Sequence, residues 1–220
     1  MPERLTIIPD SEKKPKQTES ELQEYDYADA VLRREQFYEL ADYDIGAPAM
    51  ELVQTQQKRD KASLIVPELE GNPLTAQGLS PDKERHSAEV TALNRFYAGL
   101  FRYYLDHYRH GGGFLTDVTN NDFIWQDEEN GQPKVYMNKA DARFVGGRKY
   151  EILSQLNYTE LFNNLDNVIG QMKNTEQRLG IRLDGARTAL ETQLKSLSAE
   201  KDLDRIAKAF INRFLKSVNF

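Results

Sequence analysis

The stretch "FLTDVTNNDFIWQDEENGQPKVYMNKADARF", residues 114–144, places a compact acidic and amide cluster between two apolar segments. The cluster contains Asp117, Asn120, Asn121 and Asp122. The strand-like "FIW" follows it, and a polar turn separates "FIW" from "KVYM". Apolar runs on either side of a polar turn predict a β-hairpin, with strands over 123–126 and 134–138. The sequence therefore predicts an acidic loop that leads directly into a hairpin, followed by an irregular segment over 139–149.

The segment before this loop carries the clearest helical pattern of the chain. Apolar side chains recur at helical spacing between residues 88 and 108, which predicts a long helix with a wide buried face. These side chains are Val90, Leu93, Phe96, Tyr97, Leu100, Phe101, Tyr104, Leu105 and Tyr108. We expect this helix to lie in the core.

The first third of the chain predicts a small mixed α and β region. A short strand is expected over 4–8, a helix over 28–41, and two strands over 49–55 and 62–69 joined by the polar turn "QKRDK". The segment 9–26 is polar, rich in lysine and glutamate, and contains two prolines, so we expect a poorly packed loop.

The chain after residue 150 is predicted to be helical, with apolar stripes in three successive segments. Strands mixed with one helix thus come first, and helices dominate the rest. This order predicts an α+β fold.

Composition limits the class of protein. The chain has 220 residues, of which 39% are hydrophobic and 29% charged, and its net charge is -6. This charge disfavours a general nucleic-acid binder. The absence of cysteine excludes disulfides, thiolate metal sites and a cysteine nucleophile. No stretch has the length of a membrane span, and the first residues do not resemble a signal peptide, so we expect a cytoplasmic protein, with signal-independent export left open.

Over residues 28–141 the order of these segments resembles the protein kinase-like fold, in particular small bacterial kinase-like proteins. "LRREQFYELADYDIGAP" resembles the glutamate-bearing helix, with Glu35 in that role, and "SLIVPELEGNPL" resembles a strand that runs into a hinge. In "LTDVTNND", Asp117 matches the catalytic aspartate, and Asp122 stands where such folds have asparagine. The resemblance implies a bilobal architecture, with a truncated N-terminal lobe over 1–71 and a mainly helical C-terminal lobe over 72–220.

The resemblance also implies roles for individual residues. Asp117 would be catalytic, and Glu35 would belong to the cofactor site together with the hinge residues Glu68 and Leu69. The metal-binding positions are then Asp122, Asn138 and Asp141, and the implied cofactors are magnesium and ATP.

The sequence departs from the kinase pattern at the positions that would bind phosphate. A glycine-rich loop is missing before Glu35, and the lysines of that region lie in a hydrophilic run and not in an apolar strand. Leu115-Thr116 replaces the usual His-Arg, and Asn138 stands where an aspartate is expected. We therefore expect weak or absent Mg-ATP binding and no pairing of Lys14 or Lys16 with Glu35.

Two functional hypotheses follow. The first is a pseudokinase-type regulatory or scaffolding protein with a protein partner, or a weakly active atypical kinase. The alternative is a non-enzymatic helical interaction module whose acidic hairpin is structural, because Asp, Asn and Thr are ordinary turn residues that bond local backbone groups.

Overall fold

The computed structural model describes residues 6–8, 24–55, 61–65, 69, 71–110, 114–116, 118–138, 143–145, 156–200 and 205–217. Within these ranges the protein has an α+β fold, as predicted. None of the helices in the described ranges has the length and apolar character that a bilayer crossing requires.

The first part of the chain forms a four-stranded sheet with one helix. Its strands are β1 (Thr6–Ile8), β2 (Glu24–Asp26), β3 (Glu51–Thr55) and β4 (Lys61–Ile65), in the order β1-β3-β4-β2, and α1 (Tyr27–Glu39) connects β2 to β3. The predicted antiparallel pair is confirmed, since Leu52 of β3 lies opposite Leu64 of β4.

The predicted loop over 9–26 is wrong for its last three residues, because Glu24–Asp26 form the strand β2. Tyr25 of β2 lies opposite Ala62 of β4, so the edge of the sheet orders these three residues despite their polar sequence. The rest of the polar segment, residues 9–23 with Lys14 and Lys16, lies outside the described residues. So does the turn 56–60.

A 3-10 helix, Leu40–Tyr43, ends α1 and carries the chain toward the second part of the molecule. Gly46 then pairs with the β-hairpin, donating its N–H to the carbonyl of Val135 and accepting from the N–H of Met137, both at 2.8 Å. A Cβ at Gly46 would overlap the ring of Tyr136, so this close approach requires glycine.

The long helix α2, Lys83–His110, extends the predicted helix at both ends. Leu93, Phe96 and Leu100 are almost completely buried, which confirms the predicted core face. After it come β6 (Phe114–Thr116) and a 3-10 turn, Asn120–Asp122.

The predicted hairpin is confirmed as β7 (Phe123–Asp127) and β8 (Pro133–Met137), and the short β5 (Asn72–Pro73) pairs with the outer edge of β7. Residues 143–145, which were predicted to be irregular, form β9 (Arg143–Val145) and pair antiparallel with β6. This strand was missed because it is short and its partner is distant in the sequence.

Three helices complete the fold: α3 (Leu156–Leu179), α4 (Asp184–Ser198) and α5 (Arg205–Ser217). Most buried side chains belong to one large cluster that joins the end of α1, α2, the hairpin and the three C-terminal helices. A second, small cluster lies between α1 and the first sheet. The boundary predicted at residue 71 stays a prediction.

Candidate functional site

The acidic loop Val118–Asp122 begins with a local hydrogen-bonding arrangement. Thr119 caps the 3-10 turn, and the Oδ2 atom of Asp122 accepts from the backbone N–H of Thr119 at 2.7 Å and from its hydroxyl at 3.0 Å. The Asp122 N–H in turn donates to the Thr119 carbonyl at 2.9 Å. The side chains of Thr119 and Asp122 form a capping box around this turn, so part of the Asp122 carboxylate has the structural role that the alternative hypothesis assigned to it.

Helix α3 holds the backbone at the start of this loop. The side-chain amides of Asn167 and Gln171 both donate to the carbonyl of Val118, at 3.0 and 2.6 Å. The two donors lie one helical turn apart, on the same face of α3. The residue that follows Asp117 is therefore fixed to a long helix.

Asn120 anchors the same loop to both α2 and α3. Its Oδ1 accepts from the Tyr97 hydroxyl at 3.1 Å, and its Nδ2 donates to Thr175 Oγ1 at 3.0 Å and to the Gln171 carbonyl at 3.3 Å. The hydroxyl oxygens of Tyr97 and Thr175 are hydrogen-bonded to each other at 2.8 Å. Every side chain of this buried network has a partner, and such networks fix one arrangement of the backbone.

Burial dominates the electrostatics of this network. It raises the pKa of Tyr97 to about 12, while the hydrogen bonds that Tyr97 makes with Thr175 and Asn120 act in the opposite direction. Tyr97 therefore stays a neutral donor throughout the physiological range. The loop is held by neutral hydrogen bonds, and the network brings no formal charge to its interior.

The structure brings together two of the predicted metal-binding residues. Asp122 and Asn138 lie at the same end of the hairpin, and the Asn138 N–H donates to the Asp122 carbonyl at 2.8 Å. The Asn138 side chain is exposed and that of Asp122 is half-buried.

Two further predicted residues, Asp117 and Asp141, lie outside the described residues. Their sequence neighbours are described: Thr116 lies opposite Arg143 in the β6–β9 pair. Asp117 directly follows Thr116, and Asp141 precedes Arg143 by two residues.

The described part of the site does not by itself make a magnesium site. No group of three His, Asp or Glu residues suited to a metal ion occurs among the described residues. Asp122 and Asn138 contribute one carboxylate and one amide, and Oδ2 of that carboxylate already accepts two hydrogen bonds. Magnesium prefers carboxylate and water ligands in octahedral geometry, so these two residues do not fit the ion without a further carboxylate.

The predicted cofactor residues are less closely associated. The Glu35 side chain is exposed on α1, which buries Ala30, Gln36 and Phe37 instead. Leu69 is half-buried, and Glu68 lies outside the described residues. Among the described residues, nothing links Glu35 to the loop 118–122.

Sequence reasoning missed the polar residues of α3 that hold the loop. Asn167, Gln171 and Thr175 recur every four residues, next to the apolar stripe that contains Leu165 and Met172. A polar stripe beside a buried stripe on a helix indicates buried hydrogen bonding. That pattern was the available signal.

Comparisons of the chain with protein-family models, with curated proteins and with solved structures found no match. The function is therefore inferred from the geometry of the chain itself.

Proposed function

We propose that the chain is a kinase-like protein of pseudokinase type, with a regulatory or scaffolding role that does not depend on phosphoryl transfer. The single observation that carries this proposal is the pairing of β6 with β9, the strands that precede and follow the acidic loop Val118–Asp122 and the hairpin. Because Thr116 lies opposite Arg143, the chain enters the region of Asp117 and leaves the region of Asp141 at the same end of one short sheet. This favours a common site for Asp117, Asp122 and Asp141, as in kinases.

The first sheet supports the same proposal. In protein kinases a strand that bears a lysine precedes the glutamate-bearing helix. Here β2 precedes α1 and pairs with β4, and β4 pairs with β3. The helix α1 thus connects β2 to β3, and β4 lies between these two strands in the sheet.

The residues of β2 argue against catalysis. β2 consists of Glu24, Tyr25 and Asp26, so it has no lysine, and Asp26 forms an ion pair with Lys61 of β4. A carboxylate on this strand repels phosphate. Together with the missing glycine-rich loop, this carboxylate favours a scaffold that retains the arrangement of the site but does not bind phosphate.

The shared position of Asp117 and Asp141 is directly testable because the chain has no native cysteine. Asp117→Cys and Asp141→Cys would be combined and treated with a short bis-maleimide, followed by digestion and mass spectrometry. The matched control pairs Asp141→Cys with Glu129→Cys, which lies at the opposite end of the hairpin. We expect an intramolecular cross-link in the first pair only. Equal cross-linking in both pairs, or none in the first, would favour the plain interaction module.

Nucleotide binding separates the pseudokinase from a weak kinase. A ligand that binds only the folded state must raise the melting temperature, so we would titrate ATP with and without magnesium in a thermal-shift assay. We expect no shift. A magnesium-dependent shift that disappears in Asp122→Ala, yet persists in the exposed control Glu129→Ala, would instead favour a weakly active atypical kinase. Because alanine at 122 also removes the acceptor for Thr119, each variant is compared with its own melting temperature without nucleotide.

A further inference from the structure

The last helix, α5, has a charge distribution that differs from the rest of the chain. It contains Arg205, Lys208, Arg213 and Lys216 and no acidic residue, whereas the whole chain carries a net charge of -6. Four cations on a helix that itself has no carboxylate create a local positive potential on an acidic protein.

Three of these cations share the exposed side of α5. Arg205, Ala209 and Lys216 lie on one helical stripe, and Arg213 lies beside it; all four side chains are exposed. We call these four residues the cationic face. Among the described residues, no acidic side chain forms an ion pair with any of its cations.

The neighbouring helix shows the contrast. In α4, Lys195 pairs with Glu191 and Arg187 pairs with Glu176 of α3. The cations Arg187 and Lys195 of α4 are thus paired with carboxylates, while those of the cationic face are exposed to solvent.

An aromatic side chain borders the cationic face. Phe210 keeps 42% of its surface exposed, and its ring stacks on Phe162 of α3 with centroids 5.7 Å apart. An exposed ring that is held by a second ring is a rigid apolar contact, and phenylalanine and arginine are enriched at protein interfaces. The small Ala209 lets a partner approach between the cations.

The buried side of α5 argues against a membrane. Ile211 and Phe214 are buried within the fold, and Phe214 contacts Phe162 at 5.2 Å between ring centroids. A helix that lies in a bilayer surface inserts its apolar face, and that face of α5 is already occupied. Three exposed cations on an acidic chain also make a poor nucleic-acid surface.

We infer that the cationic face and Phe210 bind an acidic segment of a partner protein that carries an apolar residue between its carboxylates. Arg205 and Arg213 are eight residues apart, so the rise of the helix separates them by roughly 12 Å. A partner helix with carboxylates two turns apart matches this spacing. The inference names a partner class for the scaffolding role proposed above.

The binding test uses a labelled synthetic helical peptide with glutamates two turns apart on either side of a leucine, and fluorescence anisotropy as the measurement. A second peptide with glutamine in place of glutamate reports the charge requirement. The test variant is Arg205→Glu/Arg213→Glu/Lys216→Glu. The matched control is Lys83→Glu/Arg95→Glu/Lys173→Glu, which makes the same charge change at exposed positions of α2 and α3.

We expect the glutamate peptide to bind the native chain, and the affinity to fall roughly 10- to 100-fold in the test variant but little in the control, because like charges oppose each other across the interface. Phe210→Ala should weaken binding by a smaller factor without changing its salt dependence. Melting temperatures of all variants verify that they are folded.

Three results would overturn the inference: no binding of the glutamate peptide, equal binding of the glutamine peptide, or equal losses in the two triple variants. Binding of phosphatidylserine vesicles with the same dependence on the three cations, in place of the peptide, would also overturn it in favour of a membrane surface. The outcome is independent of the cross-link between positions 117 and 141, so failure here and failure of the kinase-like fold are distinguishable.

Discussion

The two hydrophobic clusters formed by the described residues differ in size and in what they support. The large cluster packs α2 against α3, α4 and the hairpin, and it surrounds the anchored loop 118–122. The small cluster consists of four buried residues between α1 and the first sheet, with Tyr27 and Val31 at its border. Its buried residues are Ala30, Leu52, Ala62 and Leu64.

This difference bears on function, because burial of apolar surface is the main source of stability. The loop with the candidate residues rests on the better-packed region. Among the described residues, the core between α1 and the first sheet has four buried apolar side chains, two of them alanine. The proposed scaffolding role requires a rigid helical region and places no such requirement on the first sheet.

The largest expected effect comes from a matched pair of core truncations. Leu100 and Leu64 are both buried, the first in the large cluster and the second in the small one. We expect Leu100→Ala to lower the free energy of unfolding by about 3–4 kcal/mol and Leu64→Ala by about 2 kcal/mol, because a cavity in a tightly surrounded site relaxes less. Urea unfolding followed by the fluorescence of Trp125, the only tryptophan, measures both. Equal losses would remove the contrast between the clusters.

The second effect concerns the ion pair that closes the α3–α4 connection. Glu176 and Arg187 are about nine-tenths buried, and Glu176 Oε1 also accepts from the Leu183 N–H at 2.7 Å. Glu176→Gln keeps an acceptor for Leu183 but removes the negative charge that pairs with Arg187 in a mostly buried site, so we expect a loss of about 2–4 kcal/mol. The control Glu191→Gln breaks the exposed pair with Lys195 and should cost less than about 1 kcal/mol. A small loss at Glu176 would mean that water reaches this connection.

The helices and the hairpin were predictable because their signals are local. The apolar stripe of α2 and the polar turn between β7 and β8 are each contained in a continuous segment, and both were confirmed. In contrast, β2 and β9 have three residues each and gain their stability from distant strands. Such short strands carry almost no pattern of their own.

The candidate site also contains one part that local sequence signals predict and one part that depends on contacts between distant residues. The pairing of Asp122 with Asn138 follows from the register of the hairpin, which the sequence indicates. The hydrogen bonds from Asn167 and Gln171 to Val118 connect residues 49 and 53 positions apart, and only the tertiary fold brings them together. The roles of Asp117 and Asp141 stay predictions.

The third effect tests the buried network with pH. Burial raises the pKa of Tyr97 to about 12, so the folded state prefers the neutral phenol. The resulting stability is complete below pH 10, the unfolded value, and is lost as the pH rises from about 10 to about 12, by about 2–3 kcal/mol. Tyr97→Phe should cost about 1 kcal/mol at neutral pH and reduce the loss of stability at high pH.

The measurement is urea unfolding by far-ultraviolet circular dichroism at several pH values between 8 and 12. Tyr27→Phe, at the border of the small cluster, is the control for removal of a hydroxyl outside the network. Burial also raises the pKa of Tyr103 and Tyr43, so some alkaline destabilisation must remain in Tyr97→Phe. An unchanged pH profile would show that the network opens before Tyr97 ionises.

The smallest effect concerns the ion pair between Asp26 of β2 and Lys61 of β4. Their side chains are 64% and 39% exposed, so water screens the pair. We expect Asp26→Asn to change the free energy of unfolding by less than about 1 kcal/mol, and the change to shrink further at high salt. Glu51→Gln, an exposed change in β3 of the same sheet, is the control. A loss well above 1 kcal/mol would mean that charge, and not the small apolar cluster, holds the edge strand.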